Sequence, residues 1–269
     1  MRNRARRKQG DFFAVKRRHA YRLWGLLLLL TYGAMVLTQY DVVQGLRSIP
    51  KAAEWGITQF YPNRESFSKL PDILRTLQET LLMSIAASSV AAVFALFFAI
   101  MGSQAVGINA GLKLVSRTIA TIFRNIDITV WSMILLFSFG QNVMTGYFAL
   151  FFGSFGFLTR AFLESIDESS GHSVEALRAT GAGYATIICQ SVIPSVLPQL
   201  ISWILFMIET NIRNATLIGI LTGTGVGFLF NLYYKNLNYG AASLIVLIIV
   251  ASILIIEFAS NYIRKVVIG

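Results

Sequence analysis

The sequence has little charge, one cysteine and two histidines. Charged residues make up 13% of its 269 residues, about half of their share in a typical soluble domain. Cys189 stands alone, which excludes an intrachain disulfide and a cysteine-based metal site. His19 and His172 lack the short spacing of paired metal ligands. We therefore expect no metal ion, no cofactor and no catalytic residue in this chain.

Long hydrophobic runs take the place of the missing charge. Hydrophobic residues form 55% of the chain, and a helix that crosses a bilayer needs about 20 largely apolar residues. The runs predict an all-α membrane protein with about six transmembrane helices. The predicted spans lie near residues 23–40, 80–101, 115–140, 143–160, 194–214 and 241–263.

Two of these regions are less regular than the others. Residues 128–140 are too short to cross a bilayer alone, so we expect the third span to begin earlier and to carry Arg124 and Asp127 near one end. Residues 215–234 are uncharged and glycine-rich, and they fit either a further span or a re-entrant segment. Glycines recur there at every fourth residue, a spacing that favours close helix packing over a backbone-lined pathway: Gly219, Gly223 and Gly227.

The net charge of +10 is concentrated at the N-terminus rather than spread over a surface. Basic residues gather on the cytoplasmic side of membrane spans, so residues 1–22 are predicted to be a cytoplasmic N-terminus ahead of a transmembrane domain over residues 23–269. Anionic lipid is the expected partner, because no nucleic-acid-binding pattern accompanies the charge. The basic residues before the first span are Arg2, Arg4, Arg6, Arg7, Lys8, Lys16, Arg17, Arg18 and Arg22.

The topology follows from this start and from the number of spans. The first apolar run is interpreted as a retained anchor in the cytoplasmic, or inner, membrane. Six spans place residues 41–75 in an external loop with room for one short amphipathic helix, and residues 164–184 in a cytoplasmic loop. The C-terminus then returns to the cytoplasm, where Arg264 and Lys265 fit.

The predicted cytoplasmic loop contains a short helical segment. Glu175, Ala176 and Leu177 begin a run that favours helix. Gly181 can end this helix, and Pro194 suits the first turn of the next span, where its missing N–H costs nothing. The pattern predicts a short helix between two spans, parallel to the membrane.

This loop resembles the Glu-Ala-Ala loop of ABC-importer permeases of the binding-protein-dependent type. Glu175, Ala176, Gly181 and Pro194 match at the family's spacing, and other positions depart from it: Leu177, Ser191 and Ile193. The resemblance extends over residues 70–265 and is typical of the phosphonate-transport branch. It rests on 124–140 (RNIDITVWSMILLFSFG), Glu164, 175–184 (EALRATGAGY), 208–216 (IETNIRNAT) and the glycines at 219, 223, 225 and 227.

The sequence differs from that branch at three positions: Asp127 stands where Pro is common, and Thr222 and Thr224 stand where Ala is common. The resemblance implies a type I importer permease whose segment over residues 175–181 is a coupling helix for a separate ATPase subunit. It also implies a homodimer with two ATPase subunits, which use ATP and Mg²⁺, and an external substrate-binding protein. The chain has no GxxxxGK[ST] phosphate-binding loop of its own. The implied cargo is phosphonate or a related phosphorus oxyanion.

Ionisable residues inside a span are costly and are candidates for function. Glu209 and Arg213 are four residues apart and share a helix face, with Asn211 and Asn214 nearby. Arg213 could guide an oxyanion while Glu209 orients it. Alternatively, the two form an internal ion pair that serves only the structure. Both interpretations remain open from the sequence.

Other functions receive less support from the residues. An ABC permease for a different small solute would share every feature above. An ion-coupled secondary transporter would leave the segment over residues 175–181 without a role, and the chain has no internal repeat of the kind such transporters often contain. A membrane-bound enzyme lacks a metal cluster or a nucleophile with its base.

Overall fold

The described residues form helices nearly throughout, because a backbone in lipid must satisfy its hydrogen bonds within each segment. The structure, a computed structural model, describes the backbone of residues 2–169 and 171–268, and the side chains of residues 16–169, 171 and 173–266. The side chains of His172 and of the basic residues before Lys16 lie outside this description. The predicted all-α class is confirmed.

Five described helices are long and apolar enough to cross a membrane, and a sixth crossing is formed if one bent pair of helices counts as a single span. This agrees with the prediction of about six spans. The described helices are α1 (Arg2–Thr38), α2 (Val42–Gln59), α3 (Arg64–Phe67), α4 (Leu70–Gly102), α5 (Ala110–Asn125), α6 (Ile128–Phe139), α7 (Val143–Ser169), α8 (Gly171–Ala179), α9 (Tyr184–Ile187), a π-helical turn (Ile188–Val192), α10 (Ile193–Thr222), α11 (Gly225–Lys235) and α12 (Tyr239–Ile268).

The chain forms two units, residues 1–58 and residues 59–269. The first unit contains α1 and nearly all of α2. Asp41 caps α2, since its carboxylate accepts hydrogen bonds from the backbone N–H groups of Val43 and Gln44 at 2.9 and 3.0 Å. The segment predicted as a loop over residues 41–75 is largely helical. Helix α2 is longer than the short helix expected there, and α4 already begins at Leu70.

In the second unit, α4, α7 and α10 form the core. One face of α4 carries a fully buried alanine at every fourth residue: Ala87, Ala91, Ala95 and Ala99. Such a face lets helix backbones approach closely, as is common between helices in membranes. The larger side chains of α7, among them Leu150, Leu158 and Phe162, fill the space beside it.

The predicted third span is not one straight helix. Helices α5 and α6 meet at an angle of 90°. Asp127 caps α6 by accepting a hydrogen bond from the N–H of Thr129 at 2.8 Å, and it forms no ion pair with Arg124 within the described residues. Gly156 of α7 faces the bend, where a Cβ atom would overlap the backbone of Phe123 and Arg124. The cap and this close approach explain why the chain breaks here.

Two further boundaries differ from the prediction. Helix α7 continues to Ser169 and includes Glu164, so the loop predicted over residues 164–184 is shorter than expected. Pro194 lies in the first turn of α10, as predicted, but helical structure already begins at Tyr184, so the span starts earlier than expected. The wide π-helical turn ends at Val192, two residues before this proline, and a wider turn there reduces the crowding that a proline ring causes in a regular helix.

The glycine-rich region over residues 215–234 is a helix, a turn and a second helix. Gly223 ends α10 in a left-handed conformation with φ 69°. Gly219 and Gly227 bring α10 and α11 together, since a Cβ atom on Gly227 would overlap the carbonyl oxygen of Thr216. The sequence favoured close helix packing at all three glycines. Gly219 and Gly227 agree with this expectation, whereas Gly223 forms the turn.

Candidate functional site

The short helix α8 contains Glu175, Ala176 and Leu177 and ends as the sequence predicts. Gly181 adopts a φ of 78°, which L-residues rarely adopt. Its N–H donates to the carbonyl of Arg178 at 3.0 Å, and the N–H of Ala182 donates to the carbonyl of Leu177 at 3.2 Å. These bonds turn the chain back toward α9.

Helix α8 has one face against the core and one face free. Val174 is 2% exposed, and both Val174 and Leu177 pack against the core near the start of the next span. Glu175, Ala176 and Ala179 are exposed on the described chain. The residues expected to couple to a partner thus lie on a helix whose opposite side is fixed to the bundle.

Two contacts connect α8 to other elements of the second unit. The guanidinium of Arg178 donates to the carbonyl of Ala105, in the turn between α4 and α5, at 2.9 Å. The hydroxyl of Ser191, in the π-helical turn, donates to the hydroxyl of Ser173 at 2.9 Å. Pro194 is exposed just beyond Ser191 and lies outside α8.

Asp167 of α7 organises the turn between α4 and α5. Its Oδ1 atom accepts hydrogen bonds from the hydroxyl of Ser103 at 2.6 Å and from the N–H groups of Gln104 and Ala105 at 2.7 and 3.3 Å. Its Oδ2 atom lies 3.2 Å from the guanidinium of Arg117. Sequence reasoning missed this group, because its partners are 50 to 64 residues away along the chain.

The four residues predicted for a translocation pathway do not share one environment. Glu209 and Arg213 form the expected ion pair at 3.0 Å. The Glu209 side chain is 12% exposed and the Arg213 side chain is 47% exposed. A second guanidinium, that of Arg264 on α12, lies 3.8 Å from the other oxygen of Glu209. One carboxylate therefore lies between two guanidinium groups, of which the sequence indicated one.

Asn211 is completely buried and points into the helix bundle. Its amide donates to the hydroxyl of Ser88 on α4 at 2.8 Å and to the hydroxyl of Ser154 on α7 at 2.6 Å. Asn214 is half-buried on α10. Asn211 thus connects three core helices and is not exposed to a passing ion in this conformation.

A cleft of about 610 Å³ lies along α10 and reaches Arg264. Its lining combines hydroxyl, amide and aromatic groups: Ser195, Pro198, Gln199, Ser202, Trp203 and Phe206. Within the described residues, no group of three or more His, Cys, Asp or Glu side chains could hold a metal ion. The polar groups that α10 and α12 present to the cleft are therefore hydrogen-bond donors and the guanidinium of Arg264.

Residues 91–268 match the family described as the binding-protein-dependent transport system inner membrane component. The chain belongs to this family. The matched segment includes α8, the whole of α10 and the described part of α12. The exposed face of α8 therefore belongs to a binding-protein-dependent transport component, as does the Glu209 cluster, which consists of Glu209, Arg213 and Arg264. The predicted resemblance to this class of permease is confirmed.

Two relatives extend the comparison along the chain. The phosphite transport system permease protein PtxC of Stutzerimonas stutzeri is 26% identical over 243 residues, which cover 90% of this chain and 86% of that protein. The phosphate-import permease protein PhnE of Mycolicibacterium smegmatis is 27% identical over 188 residues, or 70% of this chain. The match spans only 35% of that second protein.

A solved structure supports the fold. A chain of the MetNI methionine ABC transporter, in an inward-facing conformation, superimposes with a TM-score of 0.65 at 22% identity. The match covers 72% of this chain and 95% of that chain. At this identity the likeness concerns the fold alone, which is that of a binding-protein-dependent permease.

Replacement of Asp167 by Ala should loosen the turn between α4 and α5, because the N–H of Gln104 and the hydroxyl of Ser103 lose their acceptor, whereas the N–H of Ala105 keeps the Ser103 hydroxyl at 3.1 Å. We expect the amide proton of Gln104 to exchange with deuterium at least about tenfold faster. Glu168→Ala is the matched control, since Glu168 is the exposed neighbour on the same helix. Equal exchange in the two variants would contradict the role given to Asp167.

Proposed function

We propose that this permease subunit carries a small phosphorus oxyanion, such as phosphonate or phosphite, inward across the cytoplasmic membrane in an ATP-driven importer. The observation that carries the proposal is α8, a short helix fixed on one face and exposed on the other. Such a helix suits the transfer of movement from a partner subunit. The names of the two relatives support a phosphorus oxyanion as the cargo.

The chain itself is proposed to be non-catalytic. ATP and Mg²⁺ would be used by two separate ATPase subunits, each docked on the exposed face of one α8 in a homodimer of this chain. An external binding protein would deliver the cargo and supply most of the selectivity. The exposed Glu175, Ala176 and Ala179 suit this docking, because small side chains beside one carboxylate allow a partner to approach closely.

The proposed orientation places both termini and α8 in the cytoplasm. Clustered basic residues at the N-terminus support it, as do Arg264 and Lys265 near the end of α12. The same orientation places α8 on the side of the membrane where ATP is available. Anionic lipid on the cytoplasmic leaflet would attract the basic N-terminus.

We further propose that α8 and the turn between α4 and α5 move as one body when the ATPase subunits close. Arg178 binds the carbonyl of Ala105, and Asp167 holds that turn on α7. These contacts would carry the movement of α8 into α4, α5 and α7 together. Helices packed in this way move as rigid elements rather than deforming continuously.

The function is tested by uptake into vesicles that contain the complete complex with its binding protein. We expect phosphite or methylphosphonate to enter only when ATP is present on the side of α8, and cargo-loaded binding protein to stimulate ATP hydrolysis. Uptake that follows an ion gradient without ATP would identify a secondary transporter instead. Transport of an unrelated solute alone would support the assignment as an ABC permease and contradict the proposed phosphorus oxyanion cargo.

Gly181→Val should uncouple the complex while leaving the chain inserted in the membrane. The left-handed backbone at Gly181 strains any β-branched residue by about 1–3 kcal/mol, although no atom lies near its missing Cβ. We expect reduced stimulation of ATP hydrolysis by the loaded binding protein. Gly183→Val is the control, since Gly183 also has open space around it and has an ordinary φ of −68°. Normal stimulation in Gly181→Val would refute the coupling role of α8.

The pair formed by Glu209 and Arg213 is proposed to contact the cargo in transit. Arg213→Gln should abolish uptake in an assembled complex, whereas Arg213→Lys should retain part of it because the charge remains. The double variant Glu209→Gln with Arg213→Gln removes both charges of this pair and leaves Arg264 without its carboxylate partner; it should remain without transport. Restored uptake in the double variant would show that the pair is structural only. Arg75→Gln, which changes a highly exposed ion pair, serves as the control.

A further inference from the structure

A second polar cleft lies beside the bend between α5 and α6. It has a volume of about 230 Å³ and is lined by Ala120, Thr121, Arg124, Asn125 and Arg160. Two guanidinium groups, one hydroxyl and one amide therefore line the cleft together, and no acidic residue is part of this lining. None of these residues was predicted from the sequence to take part in transport.

The charges around this cleft do not cancel. Arg160 is held by Glu164, whose carboxylate oxygen lies 2.5 Å from its Nε atom. Arg124 has no carboxylate partner among the described residues. Two guanidinium groups and one carboxylate leave a net positive charge of one. Arg124 is exposed on the described chain, so its guanidinium is accessible to a ligand that enters the cleft.

The bend between α5 and α6 fixes the position of Arg124. The backbone of Arg124 passes so close to Gly156 of α7 that a side chain at Gly156 would overlap it. Asp127 lies only three residues away, but its carboxylate caps α6 through the N–H of Thr129. A span without a break would place residues 124 and 127 within one helix, where the two side chains could pair. The break thus leaves the guanidinium of Arg124 without an acidic partner beside the cleft.

The size and donors of the cleft suit a small oxyanion. Pockets for drug-sized ligands have volumes of about 300–1,000 Å³, so a cleft of 230 Å³ is suited to a smaller ligand. Guanidinium groups bind phosphorus oxyanions through paired hydrogen bonds. Asn125 already donates its amide to the carbonyl of Thr121 at 2.8 Å, so the two arginines are the principal donors.

We infer that Arg124 and Arg160 form a transit site for the phosphorus oxyanion that this permease carries. The inference rests on the proposed function for the identity of the ligand. Glu164 competes with the anion for Arg160 and keeps its binding weak enough for release. The site is separate from the Glu209 cluster, which belongs to α10 and α12.

Direct binding of phosphite to the complex of permease and ATPase subunits, without the binding protein and without nucleotide, tests this site, with ³¹P magnetic resonance as the readout. Arg124→Gln and Arg160→Gln should each weaken binding by at least about tenfold, because each removes charge-assisted hydrogen bonds. Glu164→Gln should strengthen binding, since it releases Arg160. This opposite sign distinguishes a binding site from a general loss of structure. The ATPase subunits are identical in all samples, so the differences report on the permease.

Two controls complete the experiment. Arg75→Gln should leave phosphite binding unchanged, because Arg75 is highly exposed and pairs with Glu79 far from the cleft in sequence. The double variant Arg160→Gln with Glu164→Gln removes the carboxylate that Arg160→Gln leaves unpaired. It should fold normally and still bind phosphite weakly. Normal binding in this double variant and in Arg124→Gln would overturn the proposal.

The lipid composition of the sample separates the cargo from a lipid headgroup. We expect the same losses in nanodiscs of neutral lipid and in nanodiscs that contain phosphatidylglycerol. An effect confined to anionic lipid, with loss of a co-purifying lipid, would assign the cleft to a headgroup and overturn the inference. If the wild type binds phosphite in the cleft but takes up no phosphorus oxyanion, the proposed function fails while the site stands.

Discussion

A polar group buried among membrane-spanning helices can be satisfied only by another part of the protein. This constraint accounts for the arrangement of the second unit. Asn211 is placed between Ser88 and Ser154, and so fixes the register of α4, α7 and α10. Asp127 satisfies the first turn of α6 and permits a 90° bend. Asn211 and Asp127 thus determine where helices meet and where one helix ends.

The same constraint connects α8 with the turn between α4 and α5. Asp167 satisfies the polar groups of the turn that follows α4, and Arg178 extends this network to α8. A helix bound only by its apolar face could slide on the bundle. The hydrogen bond from Arg178 to Ala105 adds a directional contact. Movement imposed on α8 would therefore reach α4, α5 and α7 together.

Local patterns predicted much of this fold. Apolar runs located the spans, and the helix-forming run before Gly181 located α8. The spacing of Glu209 and Arg213 predicted their ion pair. The bend at residues 126–127 escaped prediction because it depends on Gly156, which lies about 30 residues later in the sequence. The second arginine beside Glu209, Arg264, could not be inferred because only the packing of α12 on α10 brings it close.

The joint movement that we propose for α8 and the turn between α4 and α5 can be measured directly. Spin labels at Ala179 and Gln104, in a Cys189→Ser background, would measure their separation in the complete complex. If they move as one body, this distance is the same with and without ATP, while the distance from Ala179 to a label at Glu65 changes. A change between Ala179 and Gln104 as large as that to Glu65 would contradict the account.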